Sequence, residues 1–138
     1  MSKPFRLHIS LFLLRLGVFI VMGIWVLDKF LNPAHTQGVY SKFYFIEDLP
    51  ATAPMIIGCV QGIIVLAFVA GIFKRYSYGL VLIMHLISTL STWKPMFFNP
   101  YDGANILFFA AWPMLAAITA LYLLRDEDKF LTVNIGDK

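Results

Sequence analysis

Charged residues are scarce in this 138-residue chain, where Asp, Glu, Lys and Arg make up 14% and hydrophobic residues 59%. Soluble globular domains carry about 25% charged residues, so this composition lies outside their usual range. Cysteine is nearly absent as well. With Cys59 as the only cysteine, an intrachain disulfide and a cysteine-based metal cluster within one chain are excluded.

Long apolar runs take the place of the missing charge. Four runs of about 20 residues are each long enough to cross the hydrocarbon core of a bilayer. Because backbone polar groups in lipid must be paired within their own segment, each run is predicted to be a transmembrane helix. The predicted fold is therefore all-α, a polytopic membrane protein with one four-helix-bundle domain over residues 1–138. Its helices are expected at 9–31, 53–73, 76–93 and 104–124, with longer outer loops at 32–52 and 94–103.

Basic residues are concentrated on one side of the predicted membrane. The N-terminus, the second loop and the C-terminus together carry seven Lys or Arg residues, whereas the other side carries Lys29, Lys42 and Lys94. Under the positive-inside rule both termini are predicted to be cytoplasmic, in a multi-pass protein of the cytoplasmic (inner) membrane. Topology thus explains the net charge of +3, and nucleic acid is not a predicted partner. The predicted partners are the lipid bilayer and other membrane subunits or further copies of the chain.

Polar residues inside the predicted helices are the candidates for function. Arg15 lies about two turns into the first helix, and both a snorkelling anchor and a functional charge remain open for it. The third run carries a polar stripe at helical spacing that should face the bundle interior. His85 in this stripe is either an interhelical hydrogen-bonding group or a proton-handling or ligand-binding residue. The members of the stripe are Tyr78, Leu82, His85, Ser88, Thr89 and Thr92.

Two further features concern helix packing. Gly58 and Gly62 have the spacing that lets helix backbones approach closely, and Gln61 lies between them. Pro113 interrupts the fourth run, where it predicts a kink near the bilayer centre. The candidate ligand-binding residues are then Arg15, Asp28, Gln61 and His85, with Trp93 and Lys94 at the outer mouth of the site.

Sequence signatures of self-contained enzymes are absent. The chain has no P-loop, dinucleotide fingerprint, Cys-x-x-Cys or Gly-x-Ser-x-Gly motif, so no catalytic residue is assigned. The three histidines are predicted at the inner edge, in the outer loop and at mid-membrane. At about 1.5 Å of rise per residue they cannot meet in one site within a monomer, and no metal is predicted. Four helices can still line a groove for a quinone or another apolar ligand.

Several segments resemble the DoxX-like family of small four-helix membrane proteins. The opening of the chain is similar to the arginine-leucine start and Lys-Leu-x-x-Pro-like end of that family's first helix. The second helix with its basic turn, and the segment before the last helix, are similar too. The segments are Leu14-Arg15-Leu16-Gly17, Gly23, Asp28-Lys29-Phe30-Leu31-Asn32-Pro33, Gln61-Gly62-Ile63, Gly71-Ile72-Phe73-Lys74-Arg75 and Asn99-Pro100-Tyr101-Asp102-Gly103-Ala104-Asn105.

The resemblance implies a subunit of a membrane redox assembly, such as a thiosulfate- or quinone-linked oxidoreductase. Many relatives carry glutamate at the position of Gln61, and Leu124-Arg125-Asp126-Glu127-Asp128 replaces their Gly-Pro-Gly-like ending. We therefore expect an accessory subunit without catalysis of its own, which contributes to a site for a quinone-like ligand. Two alternatives remain open: a small oligomeric transporter or channel that uses the polar stripe, and a purely structural membrane scaffold.

Overall fold

Helices account for 77% of residues 3–133 and 135–136, which the computed structural model describes, and no strand is present among them. The all-α prediction is confirmed. A 3₁₀ helix at Asn105–Ala110 runs directly into the last α-helix. The six α-helices are α1 Lys3–Leu31, α2 Pro33–Tyr44, α3 Ala53–Ala70, α4 Lys74–Ser91, α5 Trp93–Phe98 and α6 Ala111–Leu123.

Three helical stretches are long and apolar enough to cross a membrane: α1, α3 and the continuous 3₁₀–α6 stretch Asn105–Leu123. No more than 22% of the most apolar part of any of them is buried inside the protein. Such an exterior is stable in lipid and strongly unfavourable in water, so the chain is a membrane protein. The helix α4 has the same length as α3, but Lys74 and Arg75 in its first turn, together with its tyrosine, histidine, serine and threonine residues, lower its mean hydropathy. A fourth crossing therefore stays a prediction.

The four longer helices form a ring in which α1 and α4 each pack against both α3 and α6. Close approaches show that α1 and α3 are antiparallel, because Gly58 near the start of α3 meets Phe30 and Gly71 at its end meets Arg15. The helices α4 and α6 are antiparallel as well, since Gly79 approaches Tyr122 whereas residues later in α4 meet the start of α6. The chain thus runs up and down through a four-helix bundle.

Close packing of α1 against α3, which the two glycines of α3 predict, is found at Gly58. A Cβ atom at Gly58 would lie 2.9 Å from the ring of Phe30 and 3.1 Å from Cβ of Lys29. At Gly62 it would lie 3.4 Å from Val26. The distance at Gly62 is an ordinary van der Waals contact, so Gly58 is the position where the absence of a side chain lets α1 approach α3 closely.

The long segment 32–52 contains the helix α2, which begins at Pro33 and ends before Phe45, a residue in the left-handed conformation. Proline suits the first turn of a helix, where its missing N–H has no partner to lose. The same rule explains Pro113. This residue lies in the first turn of α6, just after the 3₁₀ helix ends at Ala110, so the predicted interruption is a change of helix type.

The chain folds back across the bundle after α6. This C-terminal strap (residues 125–133) lies against the end of the bundle where α1 begins and α3 ends. The N–H of Val133 donates to the carbonyl of Ala70 at 2.8 Å. The ring of Phe130 packs edge-on against Phe12, with 5.4 Å between the ring centroids. We call this end of the bundle the strap end and the opposite one, where α2 and α5 lie, the α2 end.

Candidate functional site

A cavity of about 590 Å³ occupies the centre of the bundle toward the α2 end. Side chains of α1, α4, the 3₁₀ helix and α6 form its walls, α2 lies at its outer end, and α3 contributes Gln61. Trp25 of α1 and Leu107 of the 3₁₀ helix line it while 49% and 70% exposed. The cavity is therefore open along one side rather than sealed within the core.

The lining is mainly aliphatic and aromatic, with a few polar groups. Five rings contribute to it, which is an environment suited to a flat apolar ligand. Polar side chains come mostly from the last two turns of α4 and the residue that follows it. The rings are Trp25, Tyr40, Phe43, Tyr44 and Phe108, and the polar residues are Lys29, Gln61, His85, Ser88, Thr89, Ser91 and Thr92.

His85 is held in place by a bond to the start of α6. Its Nε2 lies 3.0 Å from the carbonyl oxygen of Ala111. Since a carbonyl oxygen only accepts, Nε2 carries the proton and donates it. The other ring nitrogen, Nδ1, has no partner among the described residues and retains access to the cavity. His85 therefore joins two helices, as one interpretation of its sequence position predicts, and it lines the cavity, where a role in ligand binding stays a prediction.

Other polar groups at the cavity differ in their remaining hydrogen-bonding capacity. Nζ of Lys29 donates to the carbonyl of Trp25 at 3.0 Å, which leaves two of its three protons. Burial raises the pKa of Tyr40, and the neighbouring phenol of Tyr44 raises it further. Tyr40 thus stays a neutral hydroxyl donor at any physiological pH. Gln61 completes this set with an amide that both donates and accepts.

Arg15 lies outside the cavity, fully buried at the strap end. Its Nη1 donates to Oδ2 of Asp128 at 2.9 Å and to the hydroxyl of Tyr78 at 3.2 Å. Its Nη2 donates to the carbonyl oxygens of Phe130 at 2.7 Å and Leu131 at 3.0 Å. The Tyr78 hydroxyl in turn donates to Oδ2 of Asp128 at 2.8 Å. We call Arg15, Tyr78 and Asp128 the strap-end cluster.

This cluster fixes the strap to the helices. Arg15 is neither a snorkelling residue nor a group facing the cavity, because its side chain is fully buried and both of its terminal nitrogens donate within the protein. Asp128 is also fully buried, and sequence reasoning missed it. A signal was present in the acidic run Asp126-Glu127-Asp128, which follows the last apolar run on the same predicted side of the membrane as Arg15.

Asp28 also lies apart from the cavity. Its Oδ2 is 2.7 Å from Nδ1 of His35 at the surface of the α2 end. The ring of His35 stacks on Trp25, with 6.1 Å between the ring centroids. The pair joins α1 to α2 and thereby positions α2 over the cavity.

Trp93 and Lys94 line a second pocket of about 470 Å³ at the α2 end. Nζ of Lys94 lies 5.5 Å from the ring centroid of Phe45 and 5.7 Å from that of Trp93. Phe43 and Ser91 line both this pocket and the cavity. The six predicted site residues are therefore divided: Gln61 and His85 share the cavity, Trp93 and Lys94 lie beside it, and Arg15 and Asp28 belong to structural pairs.

No family model, curated protein or solved structure matches this chain. The likeness to DoxX-like proteins accordingly depends on the quoted sequence segments. Among residues 3–133 and 135–136, no group of three His, Cys, Asp or Glu side chains is arranged to hold a metal ion. The chemistry that the site offers is thus hydrogen bonding within an apolar, aromatic cavity.

Proposed function

We propose that this protein is a membrane subunit of a redox assembly that holds a quinone-like ligand in its central cavity. The observation that carries this proposal is the cavity itself. Its volume of about 590 Å³ lies within the range of small-molecule sites, about 300–1,000 Å³. Its mixture of rings with a few polar groups suits an apolar molecule with a polar ring, and its open side gives such a molecule a route from the lipid.

The role within an assembly follows from what the sequence lacks together with the family that it resembles. The chain carries no dinucleotide or Cys-x-x-Cys motif, so a partner subunit would supply the redox centre that exchanges electrons with the ligand. The residues of this chain would bind and orient the ligand: aromatic rings on its faces, and His85 and Gln61 at its polar atoms.

Filling the cavity tests this function. Gly17 lines the cavity, and a Cβ atom there would meet nothing within 4 Å. Gly17→Phe should therefore place a ring in the cavity and weaken binding of a decyl-substituted benzoquinone at least tenfold, measured by quenching of tryptophan fluorescence. Gly23→Phe is the matched control, since Gly23 also lies in α1 and has open space but does not line the cavity. Equal binding by both variants and the wild type would refute the cavity as the site.

A transporter is the second candidate, and one observation favours it. The cavity lies toward the α2 end of the bundle and is open along one side, whereas the strap-end cluster closes the other end of the bundle, as in a carrier that is accessible from one side. Uptake of a solute into proteoliposomes by wild type and Gly23→Phe, but not by Gly17→Phe, would favour transport. A protein with neither binding nor uptake would be a structural scaffold.

We also propose that the strap end faces the cytoplasm and that α4 crosses the membrane with the other three helices. Up-and-down packing brings the basic N-terminus, the Lys74-Arg75 turn and the strap to one end, which the positive-inside rule places inside. In a Cys59→Ser background, an impermeant maleimide added to intact cells should label Glu47→Cys and leave Glu127→Cys unlabelled. Both positions are exposed. Labelling of Glu127→Cys would reverse the topology.

A further inference from the structure

We infer that the cavity selects an aromatic hydroxyl, a quinol or a related phenol, over the corresponding quinone. The inference depends on the proposed function, because it names the chemical form of the ligand at the same site. Several hydrogen-bond donors at the cavity are already used within the protein, and the acceptor atoms of the same side chains are left for a ligand.

The hydrogen bond of His85 to α6 determines what its other ring nitrogen can offer a ligand. Because Nε2–H donates to the carbonyl of Ala111 at 3.0 Å, a neutral imidazole has a lone pair and no proton at Nδ1. Nδ1 therefore accepts a hydrogen bond from a ligand O–H. It has nothing to donate to a quinone carbonyl, which is itself only an acceptor.

The imidazolium form would reverse this preference, and the surroundings of His85 disfavour it. No carboxylate is found among the described residues that line the cavity, and the only other charged group there is the ammonium of Lys29. A second positive charge in an apolar cavity would be repelled and poorly solvated. Asp28, the nearest acidic residue in sequence to Lys29, is paired with His35 outside the cavity.

The hydroxyl groups of α4 reinforce the same preference. Thr89 donates to the carbonyl of His85 at 2.8 Å, Thr92 donates to that of Thr89 at 3.0 Å, and Ser91 donates to that of Ser88 at 2.8 Å. Each hydroxyl proton is thus used within the helix, so each oxygen is left with lone pairs. Together with Nδ1 of His85, these three oxygens give this wall of the cavity four acceptors, whereas Ser88 is the hydroxyl there that can also donate.

The aromatic lining distinguishes a phenolic hydroxyl from that of an aliphatic alcohol. Five rings surround the cavity, and ring pairs gain stability from offset or edge-on packing beyond the area that they bury. A flat ring that carries hydroxyl groups satisfies both the rings and the acceptor-rich wall. Gln61, Tyr40 and Lys29, which can donate, remain for the ligand oxygen that faces away from α4.

The test compares both redox forms of one probe on the full-length protein in detergent. A decyl-substituted benzoquinone and its reduced quinol are titrated anaerobically, with decanol as a third probe. We expect the quinol to bind about tenfold more tightly than the quinone, the difference that one added hydrogen bond produces. His85→Leu should bring this ratio to about 1, and His85→Asn, which returns an acceptor near the position of Nδ1, should restore part of it.

Thr119→Val is the matched control, because Thr119 donates to the carbonyl of Leu115 and does not line the cavity. It should keep the wild-type ratio, and melting temperatures should show that all variants are folded. Equal binding of quinol and quinone by the wild type would overturn the inference while leaving the site in place. Binding of neither form would refute both the inference and the proposed function, and tighter binding of decanol would overturn the requirement for an aromatic ring.

Discussion

Asp128→Ala should lower the free energy of unfolding by about 3–5 kcal/mol, the usual effect of removing one partner from a buried ion pair. Arg15 is fully buried and would lose its carboxylate partner. The Tyr78 hydroxyl would lose its acceptor at the same time. Thermal unfolding in detergent, followed by circular dichroism, measures the change.

Two variants separate the buried charge from general effects on the strap. Asp126→Ala removes an exposed carboxylate two residues away and should change stability by no more than about 0.5 kcal/mol. The double variant Arg15→Met with Asp128→Leu removes both charges and should be far less destabilised than Asp128→Ala, because apolar replacement of a buried pair is often nearly neutral. A loss in the double variant as large as in Asp128→Ala would show that the charges themselves stabilise the strap.

The fold was largely predictable because hydropathy depends on local sequence. The first run ends at Leu31 and the second begins at Ala53 in both the prediction and the structure. The helix α2 was harder to predict, because Pro33–Tyr44 is short and only weakly amphipathic. The change from 3₁₀ to α-helix occurs just before Pro113, which has no backbone N–H. Hydropathy carries no information about the type of helix.

The site was only partly predictable, since side chains at similar depth need not share a cavity. Gln61 and His85 come together because α3 and α4 are neighbours in the ring. Arg15 could not be assigned without Asp128, whose burial depends on a strap with no helical periodicity. Asp28 has its partner on α2, a helix that the sequence did not predict.

The two ends of the bundle differ in how their polar groups are satisfied. At the strap end the Arg15 guanidinium bonds within the protein through both terminal nitrogens, and only its Nε and Oδ1 of Asp128 have no partner among the described residues. Toward the α2 end, His85 keeps a free ring nitrogen that faces an open cavity. A charge network closed on itself stabilises structure, whereas unused hydrogen-bonding capacity in a cavity is what a ligand can bind.

Gly71→Ala should be the second strongly destabilising substitution, since it strains the backbone and displaces the strap. Gly71 ends α3 with φ at 66°, a left-handed conformation that costs other residues about 1–2 kcal/mol. A Cβ atom there would also lie 2.7 Å from the side chain of Thr132 and 3.3 Å from Nη1 of Arg15. Because the strap and the Arg15 guanidinium would both have to move, thermal unfolding should show a loss clearly larger than the backbone strain alone.

Gly103→Ala measures the cost of the left-handed backbone alone, without a clash of the added Cβ atom. Gly103 has φ at 55°, but a Cβ atom there would meet nothing within 4 Å, so this variant should lose only about 1–2 kcal/mol. The difference between the two alanine variants then measures how tightly the strap is held against α3 and Arg15. Equal losses would mean that the strap yields freely, in which case the strap-end cluster would not hold that end of the bundle closed.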